Sequence, residues 1–109
     1  MSQGKLVGKV VMITGGCTGL GRAIAQLFSE EGAQVVVVDI DRKGGETTVK
    51  MLKEVGHDAF FAEADASKSS EVEKVVKAAV RRYSRINVLV NNCGPVMTLP
   101  HTWHRMTIP

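Results

Sequence analysis

At 109 residues the chain has room for one small domain. Its 44% apolar and 23% charged content is that of a globular chain, which excludes intrinsic disorder as the organising state. The net charge is only +3, with 14 basic residues spread among 11 acids and five aromatics in all, so no basic groove for nucleic acid is expected.

Lys9 to Thr14 (KVVMIT) reads as a buried strand. Gly19 to Glu31 reads as a helix, with Leu20, Ile24, Leu27 and Phe28 on its apolar face. Gln34 to Asp39 (QVVVVD) follows as a second strand, and its four consecutive valines argue against a sheet wet on one side. Gly44 to Val55 predicts a second helix, with Val49, Leu52 and Val55 at helical spacing. Asp58 to Ala62 is a weaker third strand. Ser70 to Tyr83 carries the clearest stripe: Val72, Val75, Val76, Ala79, Val80 and Tyr83. Tyr83 is therefore expected in the core, and Ser70 with Glu73 fits a capping box. Arg81, Arg82 and Arg85 cluster near the end of this helix, where cations suit the helix dipole. Ile86 to Val90 is the fourth strand, and it runs into Asn91-Asn92-Cys93-Gly94.

This alternation predicts an α/β fold, a parallel sheet with crossover helices on both faces. Residues 1–94 form that unit. Residues 95–109 show no clean period, hold all three prolines with His101, Trp103 and His104, and are expected to be an irregular or altered end. No apolar run approaches the ~18 residues of a membrane span, and Met1 to Lys9 lacks a signal-peptide pattern, so no membrane association is expected. Two cysteines, Cys17 and Cys93, are too few for a disulfide scaffold, and a reducing, cytoplasmic setting is the expectation. His57, His101 and His104 have no carboxylate or thiol nearby to complete a metal site, so none is assigned.

Thr14-Gly15-Gly16-Cys17-Thr18-Gly19-Leu20-Gly21 joins the first strand to the first helix. Gly15 permits the sharp turn out of the strand. Gly19 lets backbone approach a pyrophosphate where a Cβ would collide, and Gly21 lets the helix pack closely on the sheet. The free N–H groups and dipole of the helix start then face the phosphate. An acid, Asp39, ends the second strand, where a carboxylate accepts hydrogen bonds from adenosine ribose hydroxyls and repels the extra phosphate of NADP. Ile40 stands next, where a basic residue would suit that phosphate better, although Arg42 is close. The alternative is that the glycines only make a tight turn and Asp39 only ends a strand.

With this loop, Asp39, Ala64-Asp65-Ala66-Ser67 after the third strand and Asn91-Asn92-Cys93-Gly94 after the fourth, the chain resembles the classical short-chain dehydrogenase/reductase family from about Gly4 to Gly94. The resemblance implies a partial Rossmann sheet, doubly wound, of four strands in order 3-2-1-4 with three helices, the C-terminal half of the family fold being absent. It implies that Gly15, Cys17, Thr18, Gly19, Leu20 and Gly21 line the pyrophosphate and nicotinamide side of an NAD molecule. Asp39 would hold the adenosine ribose, and Asp65 with Ala66 would meet the adenine. Asn92 would bridge neighbouring strands, and the backbone of Asn91, Cys93 and Gly94 would pass beside the cofactor. Cys93 stands where the family usually has alanine.

The family's chemistry uses a Tyr-x-x-x-Lys pair. Here the one tyrosine is Tyr83, and Asn87 stands four residues on, so no catalytic residue is assigned. The expected function is the NAD(H)-binding portion of an oxidoreductase whose longer parent transfers hydride between nicotinamide and an alcohol or ketone, with NADP the less suited cofactor. The alternative is a non-catalytic nucleotide-binding or subunit-pairing module. The fourth strand would lie at an open sheet edge, which predicts association or homo-oligomer formation through it.

Overall fold

The computed structural model describes residues 4–15 and 19–92. Seven elements follow one another: β1 (Val10–Thr14), α1 (Gly19–Glu30), β2 (Gln34–Asp39), α2 (Arg42–Glu54), β3 (Ala59–Glu63), α3 (Ser69–Tyr83) and β4 (Val88–Asn91). The strands form one sheet in the order β3-β2-β1-β4, every pair parallel. This is the expected half of a doubly wound sheet, and the order reverses between β1 and β4.

Two cores flank the sheet, and strand alternation sorts side chains between them. On one face Val11, Ile13, Val35 and Val37 pack with Ala25 of α1 and with Val49 and Leu52 of α2. On the other, Val10, Met12, Val36 and Val38 pack with Val72, Val75, Val76 and Ala79 of α3. The four valines of β2 are fully buried because both faces of that strand are covered, each burial contributing about 1.5 kcal/mol or more.

Helix α1 differs from its expected face. Leu20 and Leu27 are 67% and 55% exposed, while Gly21, Ala25 and Ser29 are buried. The helix rests on small residues at i, i+4 and i+8, with Ile24 and Phe28 flanking them, so its axis can approach the sheet closely. Helix α2 starts at Arg42 rather than Gly44, because the Asp41 side chain caps it by accepting from the Gly44 N–H at 3.1 Å. Val55 lies just past the end of α2 and is exposed rather than part of the stripe.

Helix α3 carries its expected buried stripe, but the Ser70–Glu73 capping box is not formed. The N-cap is Lys68, without a side-chain cap bond, and Glu71 instead reaches back to accept the Asp65 N–H at 2.8 Å. Tyr83 is half-buried against the α3 core with its ring 5.7 Å from that of Phe60, and its hydroxyl points to the surface. Ile86, expected in the fourth strand, is buried just before it. No helix among the described residues is long and apolar enough to cross a membrane.

Candidate functional site

Register fixes what meets at the carboxyl ends of the strands. Thr14 pairs with Val38 on one side and Asn91 on the other, and Asp39 pairs with Glu63. The chain turns out of β1 at Gly15, whose φ of 73° only glycine adopts without strain. The Gly15 N–H donates to the Val38 carbonyl at 2.8 Å, so the turn hangs on β2.

From the other side, Asn92 closes the same turn. Its Nδ2 donates to the Gly15 carbonyl at 3.2 Å, and its backbone N–H donates to the Thr14 carbonyl at 3.1 Å. Fully buried Thr14 adds a hydroxyl that donates to Asn91 Oδ1 at 3.0 Å. Gly21 sits against this turn: a Cβ there would run into the Gly15 carbonyl and lie 2.8 Å from Asn92 Nδ2. The three residues demand one another's geometry, and the start of α1 is pressed onto the turn out of β1.

Gly19, the first residue of α1, has φ 52°, and a Cβ added there would meet nothing within 4 Å among the described residues. No acid occupies the first turn of α1, so its positive end is not neutralised locally. Leu20 is exposed beside it. Asp39 is half-buried at the end of β2, and its Oδ1 accepts the Asp41 N–H at 2.9 Å. Its Oδ2 has no partner among the described residues. This open acceptor and the open space at Gly19 fit a bound dinucleotide.

Asp65 lies beyond β3, with the Ala64 N–H donating to the Asp39 carbonyl at 3.0 Å. Hydrogen bonds from the Ser67 hydroxyl and N–H to Asp65 Oδ1, at 2.6 and 2.9 Å, hold the Asp65 carboxyl below the ordinary aspartate range. Ala66 is buried against the α3 core. Gly15, Gly19, Leu20, Gly21, Asp39, Asp65, Ala66 and Asn91 therefore all lie along the carboxyl edge of the sheet. Cys17, Thr18, Cys93 and Gly94, also assigned from sequence, lie outside the described residues, as do His101, His104 and the segment 95–109.

Tyr83 lies at the opposite edge. Its hydroxyl donates to Asp58 Oδ1 at 3.0 Å. Burial and then the Asp58 carboxylate push the phenol up to about 12, the reverse of what a proton-transferring tyrosine needs. A groove of about 390 Å³ between the C-terminal ends of α1 and α2, lined by Gln26, Glu30, Met51, Val55 and His57, is also remote from the glycine turn. No cluster of metal-ligating side chains exists among the described residues.

Three residues with structural duties at or near the site were not singled out from sequence. Thr14 ties the turn to β4, as above. Arg22 joins α1 to α2 through Nε to Thr48 Oγ1 at 2.8 Å and Nη2 to the Gly44 carbonyl at 3.2 Å. Asn87 Oδ1 accepts the buried Val10 N–H at 2.8 Å, and the Asn87 N–H donates to the Val10 carbonyl, which sets the register of β4 on β1. Only the Thr-Gly dipeptide gave a local signal.

The family model for short chain dehydrogenases matches residues 9–107. The chain belongs to the short-chain dehydrogenase family. An uncharacterized oxidoreductase of Thermotoga maritima is 41% identical over 100 residues, covering 92% of this chain and 39% of that protein. Xanthoxin dehydrogenase of Arabidopsis thaliana is 39% identical over 92 residues, covering 83% of this chain and 32% of that protein. Among solved structures, a short chain dehydrogenase/reductase from Burkholderia phymatum in complex with NAD superposes with a TM-score of 0.76 at 29% identity, covering 78% of this chain and 30% of that one. A hydroxysteroid dehydrogenase from Escherichia coli gives a TM-score of 0.79 at 33% identity, covering 83% and 38%. The short-chain dehydrogenase chain described above thus spans less than two-fifths of each of these relatives.

Proposed function

We propose that this chain is the NAD(H)-binding portion of a short-chain oxidoreductase that transfers hydride between nicotinamide and an alcohol or ketone. The observation that carries the reading is the Gly15 turn locked between Asn92 and Gly21, with the open Asp39 Oδ2 on the same edge. In this reading the start of α1, from Gly19 to Gly21 with Cys17 and Thr18 before it, takes the pyrophosphate on its N–H groups. Asp39 Oδ2 accepts from the adenosine ribose and disfavours the 2′-phosphate of NADP. Asp65 and Ala66 border the adenine. The segment Asn91, Cys93 and Gly94 borders the nicotinamide half. Bound NAD supplies the hydride chemistry, while the chain's own groups bind and orient it.

The proton transfer at the substrate falls to residues other than Tyr83, which has Asn87 rather than a lysine four residues on and is kept protonated by burial and by the Asp58 carboxylate. In the same reading residues 1–94 are the binding unit.

Calorimetric titration of the chain with NAD and NADP tests the proposal. NAD should bind more tightly, and Asp39→Ala should weaken NAD by roughly tenfold or more, the equivalent of one charge-assisted hydrogen bond. No NAD binding at millimolar concentration would refute the reading.

A second reading, a subunit-pairing module, is favoured by β4, which among the described residues has β1 as its one strand neighbour and leaves Val88, Leu89 and Val90 half-buried. A strictly monomeric chain in analytical ultracentrifugation would count against it.

A further inference from the structure

Arg42, the first residue of α2, is the guanidinium nearest in sequence to Asp39, and a free arginine there would favour the 2′-phosphate of NADP. It is not free. Its Nε donates to Glu63 Oε1 at 2.8 Å, and its Nη2 lies 2.7 Å from the same oxygen. Glu46, one turn along α2, approaches Nη1 at 3.5 Å. The guanidinium also lies 6.0 Å from the ring centroid of Phe61. Glu63 is the register partner of Asp39 at the end of β3, and paired residues of parallel strands project to the same face of the sheet. Phe61 packs into the α1–α2 core, which identifies that face. The ribose-selecting carboxylate and the carboxylate that holds Arg42 therefore stand side by side on adjacent strand ends.

We propose that Glu63 is a second determinant of NAD over NADP, acting as a positioning residue that holds Arg42 against β3 and away from the ribose 2′ position. This rests on the NAD-binding reading above. Asp39 repels the extra phosphate directly. Glu63 removes the cation that would otherwise offset that repulsion, and adds its own charge to the same edge. Both partners of the pair are well exposed, so the hold is weak in stability terms, and losing Glu63 leaves Arg42 the longer 3.5 Å contact with Glu46 and the face of Phe61.

The test is calorimetric titration of the full chain and its variants with NAD and with NADP. Glu63→Ala should tighten NADP by roughly tenfold, as one charge-assisted contact to phosphate becomes available, while NAD affinity stays within about twofold. Adding Arg42→Ala to Glu63→Ala should abolish the gain. Raising the salt concentration should shrink the gain, because a merely structural role for Glu63 would not respond in this way. Glu63→Gln, which keeps the volume and removes the charge, should move NADP affinity in the same direction by a smaller factor and serves if the alanine variant folds poorly.

Unchanged NADP affinity in both single variants, with NAD still bound by the parent, overturns the role of Glu63 and leaves the NAD reading intact. A gain that survives in the double variant overturns the part played by Arg42. A parent chain that binds neither dinucleotide, or prefers NADP, overturns both readings.

Discussion

Replacing Gly21 with alanine sets two effects against each other, and the structure decides between them. Alanine is the better helix former by about 1 kcal/mol, so at an open helical position Gly→Ala stabilises. At position 21 the new methyl would run into the Gly15 carbonyl and lie 2.8 Å from Asn92 Nδ2. Neither neighbour yields cheaply. Gly15 is held by its N–H on the Val38 carbonyl at 2.8 Å, and its own carbonyl accepts from Asn92 at 3.2 Å. Moving the turn away from the methyl breaks at least one of these bonds, about 1 kcal/mol. It also overpacks the contact between α1 and the sheet, about 1–3 kcal/mol. Setting the propensity gain against these costs leaves Gly21→Ala destabilised by about 2 kcal/mol. For a domain of this size that corresponds to a fall in Tm on the order of 10 °C. Urea unfolding followed by circular dichroism measures it, and NAD titration of the same variant should show weakened binding because the turn has shifted. A variant as stable as the parent, or more so, would refute the close packing of α1 on the Gly15 turn.

Two further outcomes follow from the hydrogen-bond pattern. Ser29 Oγ is buried in α1 without a partner among the described residues, so Ser29→Ala should stabilise the chain by about 1 kcal/mol by removing an unpaired hydroxyl and adding a better helix former; a loss of that size in urea unfolding would contradict the packing at Ser29. The Asp58–Tyr83 pair should make stability fall at both pH extremes. Burial pushes the Asp58 carboxyl up, but hydrogen bonds from Gln34 and Tyr83 and the Arg82 charge outweigh it and leave the group below its ordinary value. The unfolded chain thus binds the extra proton first, and the contribution of Asp58, present above the ordinary aspartate pKa, is lost as pH falls through the lower folded value. Tyr83 is raised from 10.0 to about 12, so its contribution is present below 10 and lost as pH rises from there toward 12. Unfolding free energies measured across pH should show the alkaline fall in the parent and a flatter limb in Tyr83→Phe; identical limbs would disprove the linkage.

Much of the fold was legible from local pattern. The valine run of β2 predicts burial on both faces, and both faces are covered. The spacing of Val72, Val75, Val76 and Ala79 predicts the buried side of α3, and those residues are its buried ones. Local pattern misled where close approach outweighed hydrophobicity: Leu20 and Leu27 suggested the wrong face of α1, because the sheet accepts Gly21, Ala25 and Ser29 instead. The Ser70–Glu73 box was equally plausible as a local motif, but Glu71 found a donor in the preceding loop at Asp65.

The amino-acid order by itself determined the alternation of strands and helices, the glycine turn at Gly15 and the acid at the end of β2, because periodicity, glycine torsions and strand ends are properties of neighbouring residues. Tertiary structure alone decided that Asn87 anchors Val10 across 77 residues, that Asn92 closes the turn Gly21 leans on, and that Arg42 is held by Glu63 of β3 in addition to Glu46 of its own helix. Each of these is a contact between groups far apart in the chain. Its partner is chosen by strand order and register, which come into being only when the sheet assembles.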